Sequence, residues 1–114
     1  IIGVGIGLFI LPRTWKLTSQ ALRILMEVAP PHLDIEEIRR EILALPGVAE
    51  VHDLHVWTIT SGLESASGHV AIDSDSDYQD VLDAVLGLLD ERYNISHATI
   101  QCEPREYNET TNAV

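Results

Sequence analysis

The chain has 114 residues, of which 46% are hydrophobic, enough for a single domain with a modest core. Its formal net charge of −11 at pH 7 offers no basic stripe for phosphate groups, which argues against binding to nucleic acid. The one cysteine, Cys102, can form no internal disulfide, so the fold does not depend on an oxidising compartment.

Charge is distributed unevenly along the chain. Arg13, Lys16 and Arg23 precede the first acidic residue, Glu27, so the first 26 residues carry a charge of +3. The remaining residues hold 18 acidic side chains and 4 basic ones (7 in all, less these 3), a net charge of −14. An acidic surface of this kind suits plain solubility as well as the attraction of metal cations.

The chain starts with an apolar run. Residues 1–11, IIGVGIGLFIL, are uncharged and make up about half of the roughly 20 residues needed to span a bilayer. They lack the basic start and the small-residue cleavage site of a secretory signal. Arg13 and Lys16 follow, as the positive-inside rule requires at the cytoplasmic end of a membrane helix. We therefore expect residues 1–29 to be the end of a last transmembrane helix and its cytoplasmic extension; the alternative is a buried strand or helix of a soluble domain.

A first helix of the domain proper is predicted after a short linker. The helix-like apolar pattern ends at two prolines, which marks residues 30–33 as the linker. Asp34 and Glu37 have the spacing of a capping box, and apolar residues then recur at helical spacing. The pattern predicts a helix over residues 34–45.

The rest of the sequence predicts a hairpin, a helix and a strand. Residues 48–60 are rich in β-branched and aromatic side chains and residues 63–73 alternate between apolar and polar, with a Ser-Gly pair between them. An amphipathic pattern predicts a second helix from residue 78 to about residue 92, and alternation predicts a last strand over residues 96–103. The polar residues 105–114 are expected to form a flexible tail.

The predicted order of helix, strand, strand, helix, strand indicates an α+β fold. Two helices on one face of a three-stranded sheet form a ferredoxin-like sandwich, which needs a right-handed crossover between the second and third strands. The second face of the sheet then has no helices to cover it. We expect it to face water or another molecule.

Histidines and carboxylates are the side chains that could carry chemistry. The sequence has no nucleophile elbow, phosphate-binding glycine loop or HExxH helix. Imidazole and carboxylate groups are suitable ligands for zinc and similar divalent ions, and a closed site needs three or four of them. The candidates are His32, His52, His55, His69, His97 and Glu103.

Alternation along the strands separates these candidates by face. If the apolar residues of the second and third strands point toward the helices, His69, His97 and Glu103 share the open face. On the first strand the same rule puts His55 on the open face and His52 on the inner one. A β-bulge, or a strand that starts only after Asp53, would remove His52 from that assignment.

Four segments, LMEVAPP, PGVAEVHDLHVWTITSG, SGHVAID and ISHATIQCEP, span Leu25 to Pro104. They resemble the signature stretches of the cytoplasmic domain of cation diffusion facilitator exporters. The resemblance implies a domain that follows the sixth membrane helix, has the fold inferred above, forms a homodimer and binds zinc or related ions near the dimer contact. It therefore assigns residues 34–104 to a cytoplasmic metal-binding and dimerisation domain of a multi-pass membrane protein.

Carried over by motif position, the resemblance implies His52, His69 and Glu103 as metal ligands. His97 is a less secure fourth, because some relatives place a histidine at the position of Gln101 instead. Motif position and strand parity disagree on whether His52 or His55 is the first-strand ligand, and we favour His52.

Two other residues and the metal have open assignments. His32 follows the linker and either reaches a partner subunit's site or is simply exposed to solvent. Cys102 has inward parity, so we interpret it as a small buried hydrophobic residue. Zinc is the default metal, with cobalt, cadmium, iron, nickel and manganese as alternatives.

Three functions compete. The first is a regulatory domain of a divalent-cation efflux transporter, which binds metal and dimerises to modulate transport through a membrane domain. The second is a purely structural dimerisation domain of such a transporter, with no metal site of its own. The third and weakest is a small soluble enzyme with His and Glu as acid and base, so we expect the chain not to be an enzyme.

Overall fold

A computed structural model describes residues 1–105 of the chain and has the predicted order of elements. The helices and strands are α1 (Ile2–Leu25), α2 (Ile35–Leu43), β1 (Val48–Thr60), β2 (Leu63–Ile72), α3 (Tyr78–Tyr93) and β3 (His97–Pro104). The α+β prediction is confirmed, and for α2, α3 and the three strands the predicted bounds differ from these by at most two residues. The predicted tail, apart from its first residue, lies outside the described residues.

The sheet has the strand order β1-β2-β3. β1 and β2 are antiparallel and form the predicted hairpin, whose turn uses Gly62 at a φ of 78°. β2 and β3 are parallel, and α3 provides the crossover between them. β2 is therefore the central strand, and residues on β1 and β3 can approach each other only across it.

Aspartates start both domain helices. The Asp34 carboxylate accepts hydrogen bonds from the backbone N–H groups of Glu36 and Glu37, at 3.0 and 3.2 Å. Asp77 does the same at the start of α3, so each helix has two of its unpaired first-turn donors satisfied. The Glu37 carboxylate, the other half of the predicted capping box, instead lies 3.7 Å from the Arg92 guanidinium of α3.

The core lies between the two domain helices and one face of the sheet. α2 contributes two fully buried isoleucines and α3 three buried aliphatic residues. From β2, Val70 and Ile72 point into this core, as alternation predicts. Cys102 of β3 packs against it, and burial raises the pKa of its thiol, which fits the predicted role as a small hydrophobic residue.

α1 is a single helix of 24 residues that includes Pro12, and none of its residues is buried. It extends beyond the domain, so the described chain measures 73 Å in its longest dimension. It contacts the domain through β1. Within residues 1–105, no helix combines the length and the apolarity needed to cross a membrane.

Candidate metal centre

A bulge in β1 determines the direction of His52. His52 pairs with His69 of β2, but His55, three residues later, pairs with Ser67, only two residues away. The extra residue is accommodated at Asp53, whose φ of 49° lies in the left-handed region. Val51, which precedes His52, and Leu54, which follows Asp53, both have side chains buried in the core. His52 and His55 therefore both point to the open face, which strand parity alone did not allow.

Gly68 of β2 lies opposite the bulge. A Cβ atom at this position would come within 3.2 Å of the Leu54 Cδ1 atom and 3.5 Å of the Leu54 Cα atom. The missing side chain thus provides the space into which the bulged strand packs Leu54. A glycine inside a strand is a recognised sign of a bulge or of close backbone approach, and it is the signal that sequence reasoning missed here.

Three side chains from the three strands meet on the open face. One ligand atom from each of His52, His69 and Glu103 lies within 4.8 Å of the other two. The Glu103 carboxylate is central: Oε1 lies 2.7 Å from His69 Nδ1, and Oε2 lies 3.5 Å from His52 Nε2. The two imidazole centroids are 5.2 Å apart. The structure therefore brings together the three residues that the motif positions implied.

Burial and hydrogen bonding make Glu103 unusual. Its side chain is only 6% exposed, against 22% for His52 and 37% for His69. Gln101 Nε2 donates to Glu103 Oε1 at 2.8 Å, which leaves Oε2 facing His52 at a distance longer than a hydrogen bond. A buried carboxylate is costly unless a proton or a positive charge compensates it. A cation bound next to the Glu103 carboxylate would therefore be stabilised by it.

The His52–Glu103 spacing suits a shared metal ion. A tetrahedral ion with ligand distances of about 2.1 Å holds neighbouring ligand atoms about 3.4 Å apart. The observed 3.5 Å between His52 Nε2 and Glu103 Oε2 is close to that value. The other ring nitrogen, His52 Nδ1, is buried and has no hydrogen-bond partner among residues 1–105. Two imidazoles and one carboxylate form the donor set of many zinc sites, so the residues fit the ion.

The fourth predicted ligand, His97, is not part of this group. It opens β3 opposite Ser65, whereas Glu103 lies six residues further along the same strand. At about 3.3 Å per residue the two are roughly 20 Å apart. His97 has the open-face position that parity predicted, but parity fixes the face and not the position along the strand.

His55 and His32 also lie outside the group. His55 is exposed and lines a shallow cavity of the open face together with His69 and Gln101. His32 places its Nε2 atom 3.6 Å from Glu64 Oε1, a partner that the sequence did not suggest. Of the two first-strand histidines in dispute, His52 is the one that meets His69 and Glu103.

Known proteins with similar sequences are cation transporters. The chain is 43% identical over 103 residues to the metal cation efflux system protein CzcD of Cupriavidus metallidurans, which covers 90% of this chain and 33% of that protein. It is 33% identical over 106 residues to the cadmium, cobalt and zinc/H(+)-K(+) antiporter of Bacillus subtilis, covering 90% of this chain and 34% of that protein. The chain thus spans about a third of the length of these relatives.

Solved structures of two other proteins share this fold. The metal-bound C-terminal domain of the CzcD transporter from Cupriavidus metallidurans matches with a TM-score of 0.59 and 40% identity, over 62% of this chain and 99% of that one. The zinc form of the zinc transporter CzrB matches with a TM-score of 0.55 over 68% of this chain and 92% of that one. At 23% identity, the second comparison supports the fold alone.

The family assignment rests on the domain itself. Residues 30–105 match the family described as "Cation efflux protein, cytoplasmic domain", which is about two thirds of the chain and contains all three grouped side chains. This match confirms the resemblance seen in the motifs. The chain belongs to the family of cation efflux proteins and contains their cytoplasmic domain.

Proposed function

We propose that the chain is the cytoplasmic regulatory domain of a divalent-cation efflux transporter, which binds a transition-metal ion through His52, His69 and Glu103. The observation that carries the proposal is the buried Glu103 carboxylate facing two imidazoles from two other strands. Relatives described as efflux proteins and antiporters, and a similar domain described as metal-bound, support it. Zinc suits the nitrogen and oxygen donor set best.

The three side chains would act as a sensor through a change of charge. Without metal, His69 Nδ1 and the Glu103 carboxylate share a hydrogen bond at 2.7 Å. Metal ligation requires a free lone pair on the ligating nitrogen and an ionised carboxylate, so a shared metal ion would replace this hydrogen bond. A bound dication supplies positive charge in the middle of an acidic domain.

Dimerisation is the proposed response to this change of charge. The sheet face that carries the group lies opposite the helices, and Trp57 is half-buried on it. Two copies with a charge of −14 beyond residue 26 repel each other, and a lower negative charge reduces that repulsion. Metal that binds the closer arrangement more tightly would shift the population of dimers toward it.

The connection to a membrane domain is also a proposal. Residues 1–29 would be the end of a last transmembrane helix with its cytoplasmic extension, and residues 30–33 the linker to the domain of residues 34–104. The apolar first turns of α1 are exposed, and its basic residues follow them along the helix, in the part nearer in sequence to the domain. Motion of the domain pair would then reach the membrane domain through α1.

Zinc titration by calorimetry tests the metal site. We expect the chain to bind zinc, and replacement of His52, His69 and Glu103 together by Ala to abolish the tight binding, because each is a proposed ligand. His97→Ala is the matched control, since it removes an open-face histidine outside the group. Unchanged zinc affinity in the triple variant would leave only the structural dimerisation function.

Because the matched relatives are transporters, we propose no catalysed reaction for the chain.

A further inference from the structure

A second histidine–carboxylate pair lies where α1 and the linker meet the sheet. His32 belongs to the linker, and Glu64 is the second residue of β2, close to the hairpin turn. The His32 Nε2 and Glu64 Oε1 atoms are 3.6 Å apart. The pair borders a cavity of about 410 Å³ whose other walls include Gln20 and Arg23 of α1 and Thr58 of β1. Both ends of the pair are thus accessible from this cavity.

Glu64 is buried without a hydrogen-bonded partner. Its side chain is 9% exposed, whereas that of His32 is 63% exposed. Glu64 lies on the same side of β2 as the core residue Ala66, but near the hairpin end of the strand. No hydrogen bond to its carboxylate is found among residues 1–105, and 3.6 Å to His32 is too long for one. Because the Glu64 carboxylate borders the cavity and has few polar contacts with the protein, a cation in the cavity could bind it directly.

Arg23 also lines the cavity, but it does not form an ion pair with Glu64. Its Nη2 atom donates to the backbone carbonyl of Ala29 at 3.4 Å. Within the described part of the chain, no ion pair joins Arg23 to Glu64. His32 is therefore the only described side chain in ion-pair range of the Glu64 carboxylate.

From this geometry we infer a second, weaker site for a divalent transition-metal ion between His32 Nε2 and Glu64 Oε1. Their separation of 3.6 Å is close to the roughly 3.4 Å between neighbouring ligands of a tetrahedral ion. Water would complete the coordination, so binding is weaker than at three protein ligands. Arg23 lowers the affinity further by charge repulsion.

The position of this second site suggests a regulatory role. This role rests on the proposed metal-sensing function. An ion held by His32 and Glu64 would tie the linker to the β1–β2 hairpin. The end of α1 would then be fixed to the domain only at high metal concentration. The three-residue site on the open face and the site between His32 and Glu64 would therefore be occupied at different metal concentrations.

Titration of the chain with zinc chloride, followed by nitrogen-15 spectra of its five imidazoles, tests the inference. We expect His52 and His69 to shift first, His32 to shift at higher zinc, and His97 not to shift. Glu64→Gln should remove the His32 shift and leave those of His52 and His69. Glu91→Gln, which makes the same charge change on an exposed residue of α3, should change none of them.

Because Glu64 is buried, the exposed partner provides a second test. His32→Ala should lower the calorimetric zinc stoichiometry by about one ion per chain while the tight phase persists. If the His32 resonances remain unshifted up to excess zinc, as those of His97 are expected to, the inference is overturned. A His32 shift without any shift of His52 and His69 would support this site and contradict the proposed function instead.

Discussion

Two small features of neighbouring strands, the left-handed backbone of Asp53 and the missing side chain of Gly68, determine where His52 points. The bulge adds one residue to β1, and because side chains alternate, one residue exchanges the two faces. Asp is among the residues that adopt a positive φ at low cost, so the conformation fits its sequence position. The metal group therefore depends on residues that would not touch the ion.

Substitution of Gly68 by Ala tests this dependence. The new methyl group meets Leu54 Cδ1 at 3.2 Å, so the buried leucine must move by a few tenths of an ångström. We expect a loss of about 1 kcal/mol in the free energy of unfolding. Zinc affinity should also fall, because Leu54 is adjacent to the bulge.

Gly87→Ala is the matched control for this substitution. Gly87 lies in α3 with nothing within 4 Å of an added Cβ atom, so alanine should stabilise the helix by about 0.5–1 kcal/mol. Urea unfolding of both variants measures the two effects, and calorimetry measures zinc affinity. A Gly68→Ala chain as stable as the unsubstituted one, with the same zinc affinity, would show that the bulge tolerates a side chain.

Strand alternation predicts which face a residue occupies, but it predicts neither its position along the strand nor a break in the strand. Periodicity assigns His69, His97 and Glu103 to one face, but it does not measure the distance along a strand, so it does not separate His97 from Glu103, which lies about 20 Å away. Parity failed at His52 because it assumes an unbroken strand. Glu64 was missed because its partner lies 32 positions earlier, in the linker, where no repeating pattern connects them.

The elements themselves were predictable because their signals are local. Asp34 and Asp77 each cap a helix that starts directly after them, and the two prolines of the linker end the helical pattern that precedes it. Contacts between helices are not local and were not predicted. On the outer side of the domain, α2 and α3 are joined by Tyr93, whose hydroxyl donates to Glu41 Oε2 at 2.8 Å, and by Arg92, 2.6 Å from Glu41 Oε1.

The Tyr93–Glu41 contact makes a prediction about pH. Burial, and then the hydrogen bond to the Glu41 carboxylate, raise the pKa of Tyr93 above its ordinary value of 10.0. A group with a raised folded-state pKa keeps its full contribution below the unfolded-state pKa and loses it as pH rises through the folded-state pKa. Stability should therefore fall above pH 10, the range in which the unfolded chain gives up the tyrosine proton first.

Tyr93→Phe should lower the free energy of unfolding by about 1 kcal/mol at neutral pH, because the hydrogen bond to Glu41 is lost. The variant should also lose the part of the alkaline decline that Tyr93 causes. Tyr78→Phe is the control, since Tyr78 is an exposed residue of the same helix. Urea unfolding between pH 7 and pH 11 measures both effects. The contact has no such role if the two variants give parallel curves.

At the level of the whole molecule, opposite charges occupy the two ends of the chain. The first 26 residues carry +3 and the remainder −14, so the acidic charge lies on the domain and the basic charge on α1. Surface charges more than about 8–10 Å apart are largely screened at physiological ionic strength. Repulsion between two copies therefore acts mainly where their acidic faces come close, which is where metal ions on the open sheet face would reduce it.

This arrangement predicts that zinc contracts the dimer. Small-angle scattering of the chain should give a smaller radius of gyration with zinc than without it, because each bound dication offsets part of the acidic charge. In about 1 M salt, where screening acts within roughly 3 Å, the metal-free dimer should already be more compact and the zinc effect smaller. The variant with His52, His69 and Glu103 replaced by Ala should not contract, whereas His97→Ala should. Identical dimensions with and without zinc at low salt would contradict the coupling of metal binding to dimer geometry, even if calorimetry shows that zinc binds.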